Sequence, residues 1–402
     1  MKFKRSNLIV ALIASSWSII SVARPIDDVT AAIAPPPSLR NIVVYQFDKK
    51  HPIPQSNDGK SFSSIPVDSA WLVTINRASD GFGSGVSSDH YPIQARLVGD
   101  SSGTCEGNSN AVSNGTKETW ETSGPANTIS ILKGKNVFPD VIFNANYFDV
   151  RPQNKNTTWK SNGCSLPLGV FYDNHDGAYK NVYDKNDPYI AGPAAYIQKD
   201  GSLNALQTFT IADTVYGSGG AGFSTRPASK AVFNIVENKK TDDSAFKSYI
   251  SKIPHGTSTP DKLIAISGAE LLPTLNTGPT DSGDGPDSGG SATTRIGIGY
   301  NKAKDQLYIL EGGSYKNGLT RSNLRAAFKA LGADMALELD GGGSAVVGVN
   351  EEHVKWAGAT AKAPATSCNV AGYVCTPITQ PSGAARPVPS WAYITVPKET
   401  LK

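Results

Sequence analysis

Histidine, cysteine and methionine are scarce in this 402-residue chain, at five, four and two. The histidines (His51, His90, His175, His255 and His353) stand apart, with no HxH or HExxH spacing. No metal-ligating set is therefore spelled, which argues against a metal-dependent phosphodiesterase that would cut a P–O bond. No CxxC pair occurs, so a zinc or dithiol redox site is not expected either. Lys and Arg total 38 against 35 Asp and Glu, without a basic cluster, and a nucleic-acid partner is not expected. No apolar run beyond the N-terminus is long enough to span a bilayer. No repeat recurs at a fixed period, which removes propellers and solenoids.

What is present begins with a leader. Lys2, Lys4 and Arg5 precede an apolar run from Leu8 to Ile20, and Ser21-Val22-Ala23 supplies small residues for cleavage. Residues 1–23 read as a secretory signal, 24–40 as a proline-rich spacer containing AAIAPPPS, and 41–402 as one large catalytic domain. The product is expected to be secreted or periplasmic, with no membrane association after the signal is removed. An even cysteine count in an exported chain predicts two disulfides. Cys368 and Cys375 enclose the short loop NVAGYV and are paired, leaving Cys105 with Cys164.

Short β-like runs dominate the rest: NIVVYQF, SAWLVTIN, TISILKG, VIFN, LGVFYD, QTFTIAD, AVFNIV, KLIAISG, QLYILE, SAVVGV and WAYITV. Helix signals are few. TRSNLRAAFKALGA offers Thr320 as N-cap, an apolar face of Leu324, Ala327, Phe328 and Leu331, and Gly332 as a stop. DDSAFKSYISKI, residues 242–253, is the second. The fold class is α+β: strand-dominated mixed and antiparallel sheets with a few packing helices, in a single decorated domain. The Asp-rich segment 276–294 reads as a solvated loop beside the site, placed to act as a lid.

The stretch ALELDGGGSAVV is the most informative. Read as a strand, MALELD puts Glu338 and Asp340 on one face, with Cα atoms ~6.5–7 Å apart. Like-charge repulsion would then raise one carboxyl pKa and keep an acid protonated. The following glycines would let bare N–H groups form one wall of a pocket. Three other strand ends carry polar groups in the same manner: VIFNANYFD with Asn144 and Asn146, TTRIGIG with Arg295, and LYILEGGS with Glu311.

N-A-x-Y-F, R-x-x-x-G, L-x-x-x-E-G, G-L-T before a helix ending L-G-A, and L-D-G-G-G-S together resemble the phosphodiester glycosidase family, over residues 137–396. The resemblance implies hydrolysis of a glycosidic bond, often one with a phosphate-ester leaving group; from the residues themselves no cofactor or metal is expected. It marks Asp340, Arg295 and Glu311 as catalytic, and the shared strand face with Asp340 adds Glu338. Asn144, Asn146, Tyr147, Gly341, Gly342, Gly343 and Ser344 become substrate contacts. Glu338 stands where the family commonly has Asn, and an added carboxylate would repel a phosphodiester by ~4 kcal/mol at 4 Å for an effective ε of 20. The expected activity is therefore a two-carboxylate glycoside hydrolase acting on a polysaccharide or glycosyl conjugate. The alternatives are a glycosyl-phosphodiester hydrolase and a noncatalytic carbohydrate-binding surface protein.

Overall fold

The computed structural model describes residues 42–76, 94–98, 120–148, 263–273, 292–313 except 302 and 305, 318–358, 366–376 and 385–395, with short strand segments between 164 and 237. The expected leader, spacer, helix over 242–253, most of the Asp-rich loop and Cys105 lie outside the described residues. Ten strands and two helices frame the site. In chain order they are β1 (Ile42–Phe47), β2 (Ala70–Asn76), α1 (Pro125–Gly134), β3 (Val141–Asn144), β4 (Leu263–Leu272), β5 (Arg295–Asn301) and β6 (Gln306–Gly312). Then follow α2 (Arg321–Ala330), β7 (Met335–Glu338), β8 (Val347–Asn350), β9 (Tyr373–Cys375) and β10 (Trp391–Thr395).

Among the described residues β4, β7, β5, β6, β2 and β1 lie side by side, in that order, within an 11-stranded sheet. A 6-stranded sheet contains β9, β8, β3 and β10. Pairing is antiparallel throughout this central part; the parallel contact is β1 with the strand Lys355–Gly358. Alternation along the strands gives each sheet two apolar faces. Ile296, Ile298, Ile309 and Leu337 of the large sheet pack against Phe143, Val347 and Ile394 of the smaller one. On the outer face of the large sheet Leu310 and Ala336 meet Leu324 and Phe328 of α2, and on the outer face of the smaller sheet Ile142 and Trp391 meet Ile129 and Leu132 of α1. The result is a two-sheet sandwich with one helix on each outer side. It is strand-dominated, as expected, with two α-helices among the described residues.

The α2 helix begins where the sequence places it. Thr320 caps it, its hydroxyl accepting from Asn323 N (3.0 Å) while Asn323 Oδ1 accepts from Thr320 N (3.2 Å). Gly332, at φ +71°, ends it. Burial of Leu324 and Phe328 contributes about 1.5–3 kcal/mol each. The run TISILKG is a correction: it belongs to α1, not to a strand. Pro125 opens the helix with a suitable φ, and Thr128, Ile129 and Leu132 share its buried face, so packing overrides the β-propensity of the isoleucines. Cys368 and Cys375 are disulfide-bonded, as expected. No helix among the described residues is long and apolar enough to cross a membrane.

Helix α2 lies close to β5 because RIGIG presents Gly297 and Gly299 to it. A Cβ on Gly297 would meet Leu337 O and Phe328 Cε2, both at 2.8 Å. Gly297→Ala should therefore cost about 1–3 kcal/mol. Urea denaturation should show a lowered midpoint with an unchanged m-value, and a wild-type midpoint would mean that the helix is free to shift.

Candidate active site

Strand β7 leaves the large sheet at Glu338, and β8 enters the smaller one at Val347, so the glycine run is the corner where the chain changes sheets. Leu339 N still donates to Ile296 O of β5 (2.9 Å), whereas Asp340 N donates to Ala145 O, just beyond β3 (3.2 Å). Gly342 sits at φ +60°, the left-handed region that glycine tolerates. Its N–H donates to Thr294 O (2.7 Å), and Ser344 N donates to Gly341 O (3.2 Å) in a single 3₁₀ turn. Gly343 O accepts from Arg386 N (2.8 Å). Of the N–H groups expected to face a ligand, those of Gly342 and Ser344 are committed to the protein.

Asn144 holds this corner. Its Nδ2 donates to Asp340 O (2.7 Å) and its Oδ1 accepts from Val346 N (3.0 Å), so one fully buried amide ties the entry and the exit of the turn. Asn146 likewise accepts, through Oδ1, from Ser267 N of β4 (3.2 Å). These two residues, expected to contact substrate, use those side-chain atoms to join the sheets. Tyr147 is buried within electrostatic reach of Arg321.

Arg295 and Glu338 lie on the helix-facing side of the large sheet, because Ile296 and Leu337 occupy the inward side. The structure brings them together: Arg295 Nη1 donates to Glu338 Oε1, and Arg295 Nε donates to Leu319 O (2.8 Å). The other carboxylate oxygen, Oε2, accepts from Nε of Arg321, the first residue of α2. Burial alone would lower the Arg321 pKa, but the charge of Glu338, with smaller help from Tyr147, holds it above its ordinary value. Arg321 was not anticipated as a site residue. A signal existed in its position immediately after the helix N-cap, where an arginine is unfavourable to the helix dipole and needs another reason.

Glu311 is placed elsewhere. Leu307 and Ile309, four and two residues before it, face the inter-sheet core, so Glu311 points inward, opposite to Glu338. Burial pushes its pKa well above the ordinary 4.5, partly offset by a hydrogen bond from Thr376. Glu338, read as half of an acid pair with Asp340, meets a guanidinium on each of its oxygens. Asp340 is nearly buried at the corner itself. Among the described residues no group of three or more His, Cys, Asp or Glu side chains is placed to hold a metal ion.

A two-sheet β sandwich with a buried arginine–glutamate–arginine centre, beside an aspartate on a glycine corner, defines a strand-end polar site on an otherwise apolar scaffold. The family model for phosphodiester glycosidase matches residues 140–395, and the chain belongs to that family. Among solved structures it is similar to the zebrafish N-acetylglucosamine-1-phosphodiester α-N-acetylglucosaminidase catalytic domain auto-inhibited by its pro-peptide. That likeness has 15% identity and a TM-score of 0.41, covering 88% of this chain and 83% of that one. It is also similar to a hypothetical protein from Synechocystis at 15% identity and a TM-score of 0.30, covering 82% of this chain and 59% of that one. No curated protein sequence matches.

Two outcomes follow from the carboxyl groups. Glu338→Gln leaves two buried guanidiniums without their anion and should cost about 3–5 kcal/mol in urea denaturation; a loss under about 1 kcal/mol would reduce the contact to a surface-type pair. Glu311 has a folded pKa raised above its unfolded value, so its contribution to stability is complete below about 4.5 and is lost as pH climbs through the raised folded pKa. Glu311→Gln should therefore match wild type in acid and become the more stable protein as pH rises. Parallel Tm-against-pH curves for the two would contradict the shift.

Proposed function

We propose that the protein hydrolyses a glycosyl phosphodiester, breaking the bond between the anomeric carbon and the phosphate oxygen. The observation that supports this reading is Glu338 held between Arg295 and Arg321. The repulsion expected from a bare Glu338 carboxylate is removed by its two partners, and the three groups together carry a formal charge of +1. A general glycoside hydrolase needs a second carboxyl group as proton donor to an alkoxide leaving group. Glu338 is a poor candidate for that role, because both of its oxygens are engaged.

A phosphate-ester leaving group changes the requirement. Its second pKa is about 6, so it departs as an anion without being protonated. The reaction then needs positive charge where the leaving oxygens gain negative charge, and guanidinium forks suit this. One further carboxylate is enough. Asp340, on the corner two residues beyond Glu338, serves as base for water or as nucleophile at the anomeric carbon. In the balanced reaction the water oxygen bonds to that carbon, the phosphate oxygen keeps the bonding pair, and Asp340 relays the water proton to solvent. The leader at residues 1–23 and the disulfide support an exported enzyme.

The test is hydrolysis of α- and β-glycosyl phosphodiesters and matched nitrophenyl glycosides in ¹⁸O-water. Phosphodiesters should be cleaved preferentially, with the label in the sugar and none in the phosphate. Arg321→Lys keeps the charge but loses the planar fork, and should lower kcat/KM for phosphodiesters about 100-fold. Label in the phosphate, or equal rates on neutral glycosides, would reject the proposal.

A further inference from the structure

The segment that leads into β10 borders the glycine corner. It reads RPVPS, residues 386–390, and each proline holds the residue before it extended. Arg386 N donates to Gly343 O (2.8 Å), Val388 exchanges backbone hydrogen bonds with Ser123 (2.9 and 3.0 Å), and Ser390 O accepts from Ala145 N (3.1 Å). Ala145 O in turn accepts from Asp340 N (3.2 Å). The segment is thus tied at one end to the turn that follows Asp340, and at the other to the residue that holds the aspartate's own N–H.

Asn144, Ala145, Thr294 and Arg386 supply partners to the backbone of residues 340–343, and of these Arg386 is the one with a charge. Asp340 is 4% exposed, and burial at that depth favours a protonated carboxyl. A base or nucleophile must be ionised, so the corner needs a cation. The charged and titratable groups on the elements that meet there are Glu338 on β7, Arg295 on β5, Arg321 on α2, Glu311 on β6 and Tyr147 just beyond β3. Glu338 already offsets one of the two guanidiniums it binds. Arg386 comes instead from the smaller sheet, which also fixes Asp340 through Asn144 and Ala145, and it is half-buried where Arg295 and Arg321 are sealed.

We infer that Arg386 is a positioning residue for the proposed reaction, holding the carboxyl of Asp340 ionised at the glycine corner. Direct contact is not required for this. Asp340 and Gly343 are separated by at most ~10 Å of chain, about one Debye length. A unit charge at that range in a partly buried site shifts a carboxyl by about one pH unit. The inference rests on the reading of Asp340 as base or nucleophile, but its electrostatic part is measurable without substrate.

Arg386→Gln removes the charge and Arg386→Lys keeps it, while both retain the backbone N–H that bonds Gly343 O. The titration of Asp340 would be followed by ¹³C NMR of the aspartate carboxyls, with its signal assigned by its loss in Asp340→Asn. In Arg386→Gln the midpoint should rise by about one pH unit, and in Arg386→Lys by less than half as much. Arg386→Ala serves in its place if the glutamine variant does not fold. With a glycosyl phosphodiester, the acid limb of kcat/KM against pH should move by the same amounts. A residue that only braced the turn would lower the whole profile and leave its limb in place. An unmoved Asp340 midpoint in the uncharged variant would overturn the inference. A raised midpoint in a protein that cleaves no phosphodiester would sustain the role of Arg386 while rejecting the proposed activity. Cleavage with limb and midpoint both unmoved would do the reverse.

Discussion

Glu338 holds together two guanidiniums delivered by different elements, and the placement of both elements depends on that contact. Arg295 arrives at the head of β5 and Arg321 at the start of α2, and both are nearly sealed from water. Two like charges at such depth would separate the helix from the sheet unless an anion lay between them. The local sequence serves the same geometry. The Thr320–Asn323 capping box fixes where the helix begins, Gly297 and Gly299 let Phe328 lie on β5, and the β5–β7 register sets Gly297 opposite Glu338.

The glycine corner explains why Asp340 is held apart from both faces of the large sheet. A strand has two faces, and the large sheet uses its helix-facing side for the ionic centre and its inward side for Glu311, whose carboxyl pKa burial raises. Asp340 belongs to neither, because the chain has left the strand when it reaches that residue. Asn144 fixes that departure by holding Asp340 O and Val346 N with one amide, so the aspartate is set by the smaller sheet while Glu338 is set by the larger. A one-residue slip of either sheet would move Asp340 relative to the arginines, which gives the corner a reason to be buried and tightly hydrogen-bonded.

Much of this was legible. The α2 cap and stop, most of the strands, the Cys368–Cys375 pair and the family motifs stand in the sequence, because local spacing determines them. The Arg295–Glu338 contact needed only the correct neighbour order, β5 beside β7. What was missed had physical causes. TISILKG was misread because tertiary burial of Ile129 and Leu132 outweighed strand propensity. Alternation carried across LELD overlooked that glycine ends a strand before its last side chain is set. Glu311 was grouped with Glu338 although alternation in LYILEG and MALELD, combined with the shared core of Ile309 and Leu337, puts them on opposite faces. Arg321 lies in the first turn of α2, outside the apolar face of Leu324, Ala327 and Phe328 by which the sequence reveals that helix.

Under the proposed activity, Glu338, which stands where the resemblance leads one to expect Asn, also acquires a meaning. Two guanidiniums beside an amide would present a charge of +2, which favours a dianionic phosphate-monoester product as strongly as any transition state. With Glu338 the three groups carry a formal +1, which on the proposed activity matches the single charge of a phosphodiester. Only interactions that strengthen as the bond breaks accelerate the chemical step. A centre balanced against the diester keeps its attraction for the charge that develops on the leaving oxygen, and holds the finished product less tightly. On the proposed activity, the carboxylate that opposes a phosphate when taken alone would tune the arginines to release one.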